Sequence, residues 1–323
     1  HSAICFLYFW RLNAMSEDVV KSKAIAFEAL KLLYKGDDER AWNTLVSLNP
    51  DFSLPFASYT REFVADGKEE TLFNEIWRSV RSAFDQERIP FSIVTEEDYP
   101  SSHMEGVHFL YTAGKLPLGS ERKLVVVGTP IPSLKAKDDI FNAVAFAAEK
   151  GWTIVSPLAS GCPAFALSSA LNLGARTIAV LSSPISKCPS EALLELMEKV
   201  YEKGTLVSQF SPLTKSEKWH VVLRNRFLSS FGDGYFLAED KDGGPSWPIF
   251  DSALEKGRKG AIPKSLMDNR GYSWCSQRLL DKAIPYSKPK DLLKLFGEER
   301  SVRRGGKRKE DLTPSLFDGL DAQ

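Results

Sequence analysis

The residues best suited to binding chemistry in this sequence are two arginines that flank an asparagine, Arg224-Asn225-Arg226. Guanidinium groups bind phosphate through paired N–H donors, and an asparagine amide can add a further hydrogen bond. At the start of a helix, the two cations could hold successive phosphates of a nucleic-acid backbone. The alternative is a structural role, in which the arginines form surface ion pairs with Glu239 or Asp240.

Glycines and hydroxyl residues form a second set of candidates. Gly128-Thr129 and Ser133 follow one apolar run, and Ser156 and Gly161 lie at and just beyond the end of the next run. Small residues before a helix allow phosphate to approach the N–H groups of its first turn. The sequence lacks a G-x-G-x-x-G fingerprint, which disfavours a dinucleotide site. A tight strand-to-helix connection without a ligand is the alternative for both turns.

Glu239 ends a further apolar run, and its carboxylate could act as a base or hold a structural hydrogen bond. No histidine or nucleophile lies beside it in the sequence, which favours the structural role. The four cysteines and four histidines are spaced too widely for a zinc site or a disulfide framework. We therefore expect no catalytic residue, no metal and no cofactor.

The elements that would position these candidates alternate between short apolar runs and amphipathic helices. The apolar runs are residues 123–128, 152–156, 176–181, 205–208 and 235–239. This alternation predicts an α/β fold with a Rossmann-like, mostly parallel sheet and helices on both faces. Ligands of such sheets bind beyond the carboxyl ends of the strands, which is where the candidate turns fall.

Composition divides the chain into three predicted parts. Residues 1–89 have helical periodicity and predict a small helical domain, residues 90–297 carry the α/β pattern, and residues 298–323 form a flexible tail, basic and then acidic. The apolar run Ala3 to Trp10 is too short to span a bilayer, and we expect it in a buried helix.

Charge restricts the choice of partner. The sequence has 42 Lys and Arg against 42 Asp and Glu, so a nucleic-acid site must be a local patch. With 43% hydrophobic and 26% charged residues, the chain is typical of a globular protein, and we expect it in the cytoplasm without membrane contact.

Several segments resemble, in order and spacing, the DprA/Smf family of DNA-processing proteins. They are Thr95-Glu-Glu-Asp-Tyr-Pro100, Phe109-Leu-Tyr-Thr-Ala-Gly114, Val125-Val-Val-Gly-Thr129 with Ser133, Ile154-Val-Ser-Pro-Leu-Ala159 with Gly161, Arg176-Thr-Ile-Ala-Val-Leu181, Leu206-Val-Ser208, Arg224-Asn-Arg226, Glu239, and Leu254 with Gly257-Arg258. The resemblance covers residues 90–297 and implies a Rossmann-like domain that follows a small SAM-like helical domain.

The resemblance also implies a function. Members of the family bind single-stranded DNA and help load the RecA recombinase during DNA uptake (natural transformation) and recombination, without breaking bonds, and they tend to form homodimers. It would place nucleic-acid contacts on the candidate residues, which are Gly128, Thr129, Ser133, Ser156, Gly161, Arg224, Asn225, Arg226 and Glu239.

The chain departs from the family pattern in the turns that would face a ligand. Pro130 stands where the family has an arginine, Leu167 where it has a histidine, and the second turn carries Pro157, Ser160 and Cys162. Proline has no N–H donor and fixes φ, so these turns have lost hydrogen-bond donors and charge. The sequence therefore predicts a divergent binding pocket.

Two other functions remain open from the sequence. One is a nucleoside-phosphate hydrolase of the lysine-decarboxylase-like group, which has a similar fold. The Pro-Gly-Gly-x-Gly-Thr-x-x-Glu motif of that group is missing, because Gly243-Gly244-Pro245 has the wrong order. The other is a degenerate, non-catalytic scaffold that binds only protein partners.

Overall fold

The computed structural model describes residues 19–48, 67–95, 101–104, 106–115, 118–119 and 121–298. The predictions for the run Ala3 to Trp10 and for the tail beyond residue 298 lie outside the described residues. None of the helices in the described ranges is both long and apolar enough to cross a bilayer.

Nine strands form one sheet within the described part of the chain. They are β1 (Ser92–Thr95), β2 (Phe109–Gly114), β3 (Lys123–Val127), β4 (Thr153–Pro157), β5 (Thr177–Val180), β6 (Thr205–Ser208), β7 (Gly234–Leu237), β8 (Lys259–Pro263) and β9 (Ile284–Tyr286). The spatial order is β1-β2-β6-β5-β4-β3-β7-β8-β9. The strands from β6 to β9 in this order run parallel, whereas β2 pairs antiparallel with both β1 and β6. The predicted mostly parallel α/β sheet is confirmed.

Helices cover both faces of this sheet. They are α1 (19–33), α2 (Asp38–Leu48), α3 (Gly67–Asp85), α4 (Leu134–Glu149), α5 (Cys162–Asn172), α6 (Leu194–Lys203), α7 (His220–Phe231), α8 (Trp247–Glu255) and α9 (Ser273–Asp281), followed by a 3-10 segment, Pro289–Phe296. One face buries Ile140 of α4 and Ala166 of α5. The other face buries Phe227 of α7 and Phe250 of α8. The strand residues between them are mostly apolar because both faces are covered.

The first three helices pack against the β2 end of the sheet. Leu30, Phe73 and Phe84 lie in one hydrophobic cluster with Tyr111 of β2 and Met197 of α6. The helical segment and the sheet therefore share a continuous core among the described residues.

The chain reverses its direction of travel across the sheet at β3. From β3 it moves outward through β4, β5 and β6, and it then returns to place β7 on the other side of β3. This order creates a topological switch point beyond the carboxyl ends of β3 and β7, where α/β proteins commonly bind ligands. We call this border of the sheet the carboxyl edge.

Candidate nucleic-acid interface

The turns after β3, β4 and β7 pack directly on one another at the switch point. The Thr129 N–H donates to the Glu239 carbonyl at 2.6 Å, and the Cys162 N–H donates to the Thr129 carbonyl at 3.0 Å. Gly128 has no room for a side chain, because a Cβ there would lie 2.6 Å from Cys162 Sγ. Gly161 has a φ of 82°, and a Cβ there would lie 2.3 Å from the Thr129 carbonyl oxygen. Both glycines are thus required for close contact between the turns.

The N-terminus of α4 is occupied by the carboxylate of Glu239. Its Oε2 accepts hydrogen bonds from the Ser133 backbone N–H at 3.0 Å and from the Ser133 hydroxyl at 2.6 Å. Its Oε1 accepts a bond from the Tyr272 hydroxyl at 2.8 Å. Glu239 is buried, and its negative charge complements the positive end of the helix dipole.

Asp240 and Asp242, in the same loop, occupy the N-termini of two further helices. Asp240 Oδ2 accepts from the Ser246 N–H at 2.8 Å, directly before α8, and burial raises the pKa of Asp240. Asp242 accepts from the backbone N–H groups of Ser273 and Trp274 at 3.1 and 2.8 Å, at the start of α9. The Ser273 hydroxyl and the Trp274 N–H together lower the pKa of Asp242.

We call Glu239, Asp240 and Asp242 the acidic caps. Helix N-termini bind phosphate in many α/β proteins because their N–H groups point outward and the dipole favours negative charge. Here, three N-termini near the carboxyl edge hold carboxylates of the protein itself. Glu239 was a site candidate from the sequence, whereas Asp240 was named only as a possible ion-pair partner of the arginines. Asp242, Ser246 and Tyr272 were missed. The available signal was the run of acids directly after the β7 segment.

The structure therefore brings the predicted turn residues together, but their polar groups mainly contact one another. Gly128, Thr129, Ser133, Gly161 and Glu239 meet at the switch point. Ser156 lies beneath them inside the sheet, fully buried, and its hydroxyl donates to the Val126 carbonyl at 2.7 Å. The hydroxyl of Ser156 thus joins two strands.

Arg224 and Asn225 form a buried polar pair in the second turn of α7. Arg224 is only 6% exposed, and its Nε and Nη2 donate to Asn225 Oδ1 at 3.1 and 2.8 Å. The structure shows no ion pair between Arg224 and any described carboxylate. Burial lowers the pKa of Arg224 to about 10. The suggested surface ion pair with Glu239 or Asp240 is absent from the described contacts, since those carboxylates cap helices instead.

Arg226 lies on a different side of α7 from Arg224, because residues two apart on a helix do not share a face. It is exposed and lines a cavity of about 280 Å³. Phe27 and Lys31 of α1, together with Gln209 and Phe210 beyond β6, form further walls of this cavity. Lys31 is paired with Glu28 and Asp38, each at 3.4 Å. The two arginines thus present two separate positive charges and do not form a single phosphate-binding site.

Comparison with known proteins agrees with this architecture. The model of the family "DNA recombination-mediator protein A" matches residues 91–297, which is well over half of the chain. The chain belongs to this family. The DNA processing protein DprA of Bacillus subtilis is 30% identical over 194 residues, which cover 58% of this chain and 65% of that protein. The chain therefore aligns with less than two thirds of the length of that relative.

Two solved structures of the family show the same fold. The DNA processing protein A of Streptococcus pneumoniae superposes with a TM-score of 0.62 at 22% identity, covering 85% of this chain and 95% of that one. The DNA processing protein A of Helicobacter pylori, whose structure was described for its unique single-stranded DNA binding mode, gives a TM-score of 0.57 at 17% identity. It covers 65% of this chain and 96% of that one. The match of the family model to residues 91–297 confirms the family resemblance seen in the sequence.

Proposed function

We propose that this chain binds single-stranded DNA along the carboxyl edge of its sheet and that α7 supplies the main phosphate contacts. The observation that carries the proposal is the buried Arg224. A charged group removed from water is unfavourable unless an opposite charge meets it. Asn225 supplies only a neutral oxygen, and Nη1 of Arg224 donates to no described residue. A phosphate of the DNA backbone is the anion that fits this need.

The acidic caps support the choice of α7 over the turns. Phosphate contacts at the N-termini of α4, α8 and α9 would compete with Glu239, Asp240 and Asp242. Among the described residues, no carboxylate forms an ion pair with Arg224 or Arg226. Glu28 and Asp38 line the same cavity as Arg226, but both are paired with Lys31. Arg226 is already at the surface and can meet a second phosphate at a different point along the strand.

The relatives support the choice of single-stranded DNA. The structure of the Helicobacter pylori protein was described for binding such DNA, and the family is named for mediating recombination. We assign the chain a binding role in the cytoplasm rather than a catalytic one. Loading of RecA and formation of a homodimer, both implied by the family resemblance, stay predictions. A pull-down with RecA and analytical ultracentrifugation would test them.

The proposal is tested by the salt dependence of binding. Fluorescence anisotropy with a labelled oligo(dT) would give the affinity at several salt concentrations. Each phosphate contact contributes about −0.7 to the log–log slope for single strands. The variant R224A/R226A should therefore weaken binding and flatten the slope by about one to two units.

A matched control removes two arginines elsewhere. Arg78 and Arg81 lie exposed on α3, so R78A/R81A makes the same change of net charge away from the carboxyl edge. We expect this control to keep the slope of the unmodified protein. Equal slopes for R224A/R226A and the unmodified protein, with both folded by circular dichroism, would contradict the assignment of α7. Absence of DNA binding by the unmodified protein at low salt would refute the function and favour the scaffold hypothesis.

A further inference from the structure

The turn between β3 and α4 presents apolar side chains to solvent at the carboxyl edge. We call residues 130–134 the apolar turn. Ile131 is 86% exposed and Leu134 is 80% exposed, the two highest values among the exposed large hydrophobic residues of the described chain. Isolated exposed apolar residues are common on proteins, but two of them within four residues on a ligand-facing turn need a reason.

The apolar turn is held in place from several sides. Pro130 and Pro132 fix φ at two of its five positions. The Ile131 N–H donates to Thr129 Oγ1 at 3.3 Å, and Ser133 Oγ accepts from the Ala136 N–H at 3.1 Å to cap α4. The apolar side chains are therefore displayed by a rigid turn, which lowers the entropy lost when a ligand packs on them.

The local charge decides which part of a DNA strand can lie against this turn. A single strand offers anionic phosphates and largely apolar base faces. Glu239 already occupies the N-terminus of α4, through Ser133, directly beside Ile131 and Leu134. A phosphate at this place would meet the Glu239 carboxylate and two aliphatic side chains, and the neighbouring cation, Lys135, is already paired with Asp139. A base would meet an apolar surface. Bases are thus favoured here.

We infer that the apolar turn packs against unpaired bases of the bound strand, so that bases face α4 while phosphates face α7. This inference rests on the proposed function, and it fixes how the strand is oriented on the carboxyl edge. Apolar wedges of isoleucine, leucine or proline commonly contact bases in other DNA-binding proteins.

The test separates base contacts from phosphate contacts. The variant I131A/L134A would be compared with the unmodified protein on oligo(dT) and on an abasic strand of equal length, which keeps every phosphate. We expect about tenfold weaker binding of oligo(dT), from the apolar area lost, with an unchanged salt slope. On the abasic strand, the variant and the unmodified protein should bind equally.

A matched control is L72A/L280A, which removes two leucines of α3 and α9 that are 50% and 74% exposed. It should leave both affinities unchanged. The inference is overturned if I131A/L134A binds oligo(dT) as tightly as the unmodified protein, if its salt slope changes, or if it loses equal affinity on both strands. None of those three results would contradict the proposed function. Failure of the unmodified protein to bind oligo(dT) at low salt would refute both.

Discussion

Replacing Arg224 by methionine should stabilise the protein while weakening the proposed binding of DNA. Burial lowers the pKa of Arg224 from its ordinary value to about 10, and each pKa unit corresponds to about 1.4 kcal/mol. The folded state therefore bears a penalty of about 3 kcal/mol for the buried charge. Because the folded pKa lies below the unfolded pKa, this penalty is fully present below a pH of about 10. The penalty declines only as the pH rises from about 10 towards the ordinary pKa of arginine, so a measurement at neutral pH contains all of it.

Part of the gain is offset by the loss of the hydrogen bonds to Asn225. Oδ1 of that buried amide loses both guanidinium donors, which costs about 1–2 kcal/mol. Methionine retains most of the aliphatic packing of arginine. The net expectation for R224M is a gain of about 1–2 kcal/mol, or a rise in Tm of about 2–4 °C.

Urea denaturation and thermal melting would measure this effect, with R226M as the matched control. Arg226 is exposed, so its replacement should change the free energy of unfolding by less than about 0.5 kcal/mol. Both variants should flatten the salt slope of DNA binding. This prediction would be refuted if R224M were less stable than the unmodified protein, or no more stable than R226M. Either result would show that the buried charge of Arg224 does not lower the stability of the folded protein.

Two further predictions concern the carboxyl edge and the core. E239Q removes the charge at the N-terminus of α4 and weakens the bonds to Ser133, so it should destabilise the protein by about 1–2 kcal/mol. Sulfate should then raise the Tm of E239Q more than that of the unmodified protein, and equal rises would contradict the role of Glu239 as an internal anion. Y235F removes a hydroxyl that donates to the Leu228 carbonyl at 2.8 Å and accepts from the Gly232 N–H at 3.0 Å. It should cost about 1–3 kcal/mol in urea denaturation, whereas the control Y201F, on α6, should be near neutral.

The parallel part of the sheet could be predicted from the sequence because its strands are apolar and regularly spaced. Lys123–Val127 is buried throughout, and in a chain of this composition such an apolar run has few alternatives to a buried strand. The edge strands could not be predicted in the same way. β9, Ile284–Tyr286, has three residues with a proline in the middle, which is tolerated only at an edge. Its place in the sheet is fixed by pairing with β8 rather than by its own pattern.

The location of the candidate site in the fold could be predicted better than the contacts between its side chains. The βα turns were located correctly because glycine and serine follow the apolar runs, and parallel strands bring such turns together. The pairing of Glu239 with Ser133 and Tyr272 depends on residues 106 and 33 positions away, which no local pattern reveals. The nearness of Arg224 and Arg226 in sequence was misleading as to geometry, since the helix turns them to different sides.

The acidic caps also bear on what happens when a ligand leaves. Many α/β proteins draw rigidity from a bound phosphate, and their turns loosen when it departs. Here the anions at the helix N-termini are carboxylates of the protein itself, because Glu239, Asp240 and Asp242 lie in one short loop after β7. The empty and the occupied states should therefore share the same ordered edge, and little of the binding free energy would be spent on ordering it. Binding and release of a strand would therefore require no rearrangement of these three helix N-termini.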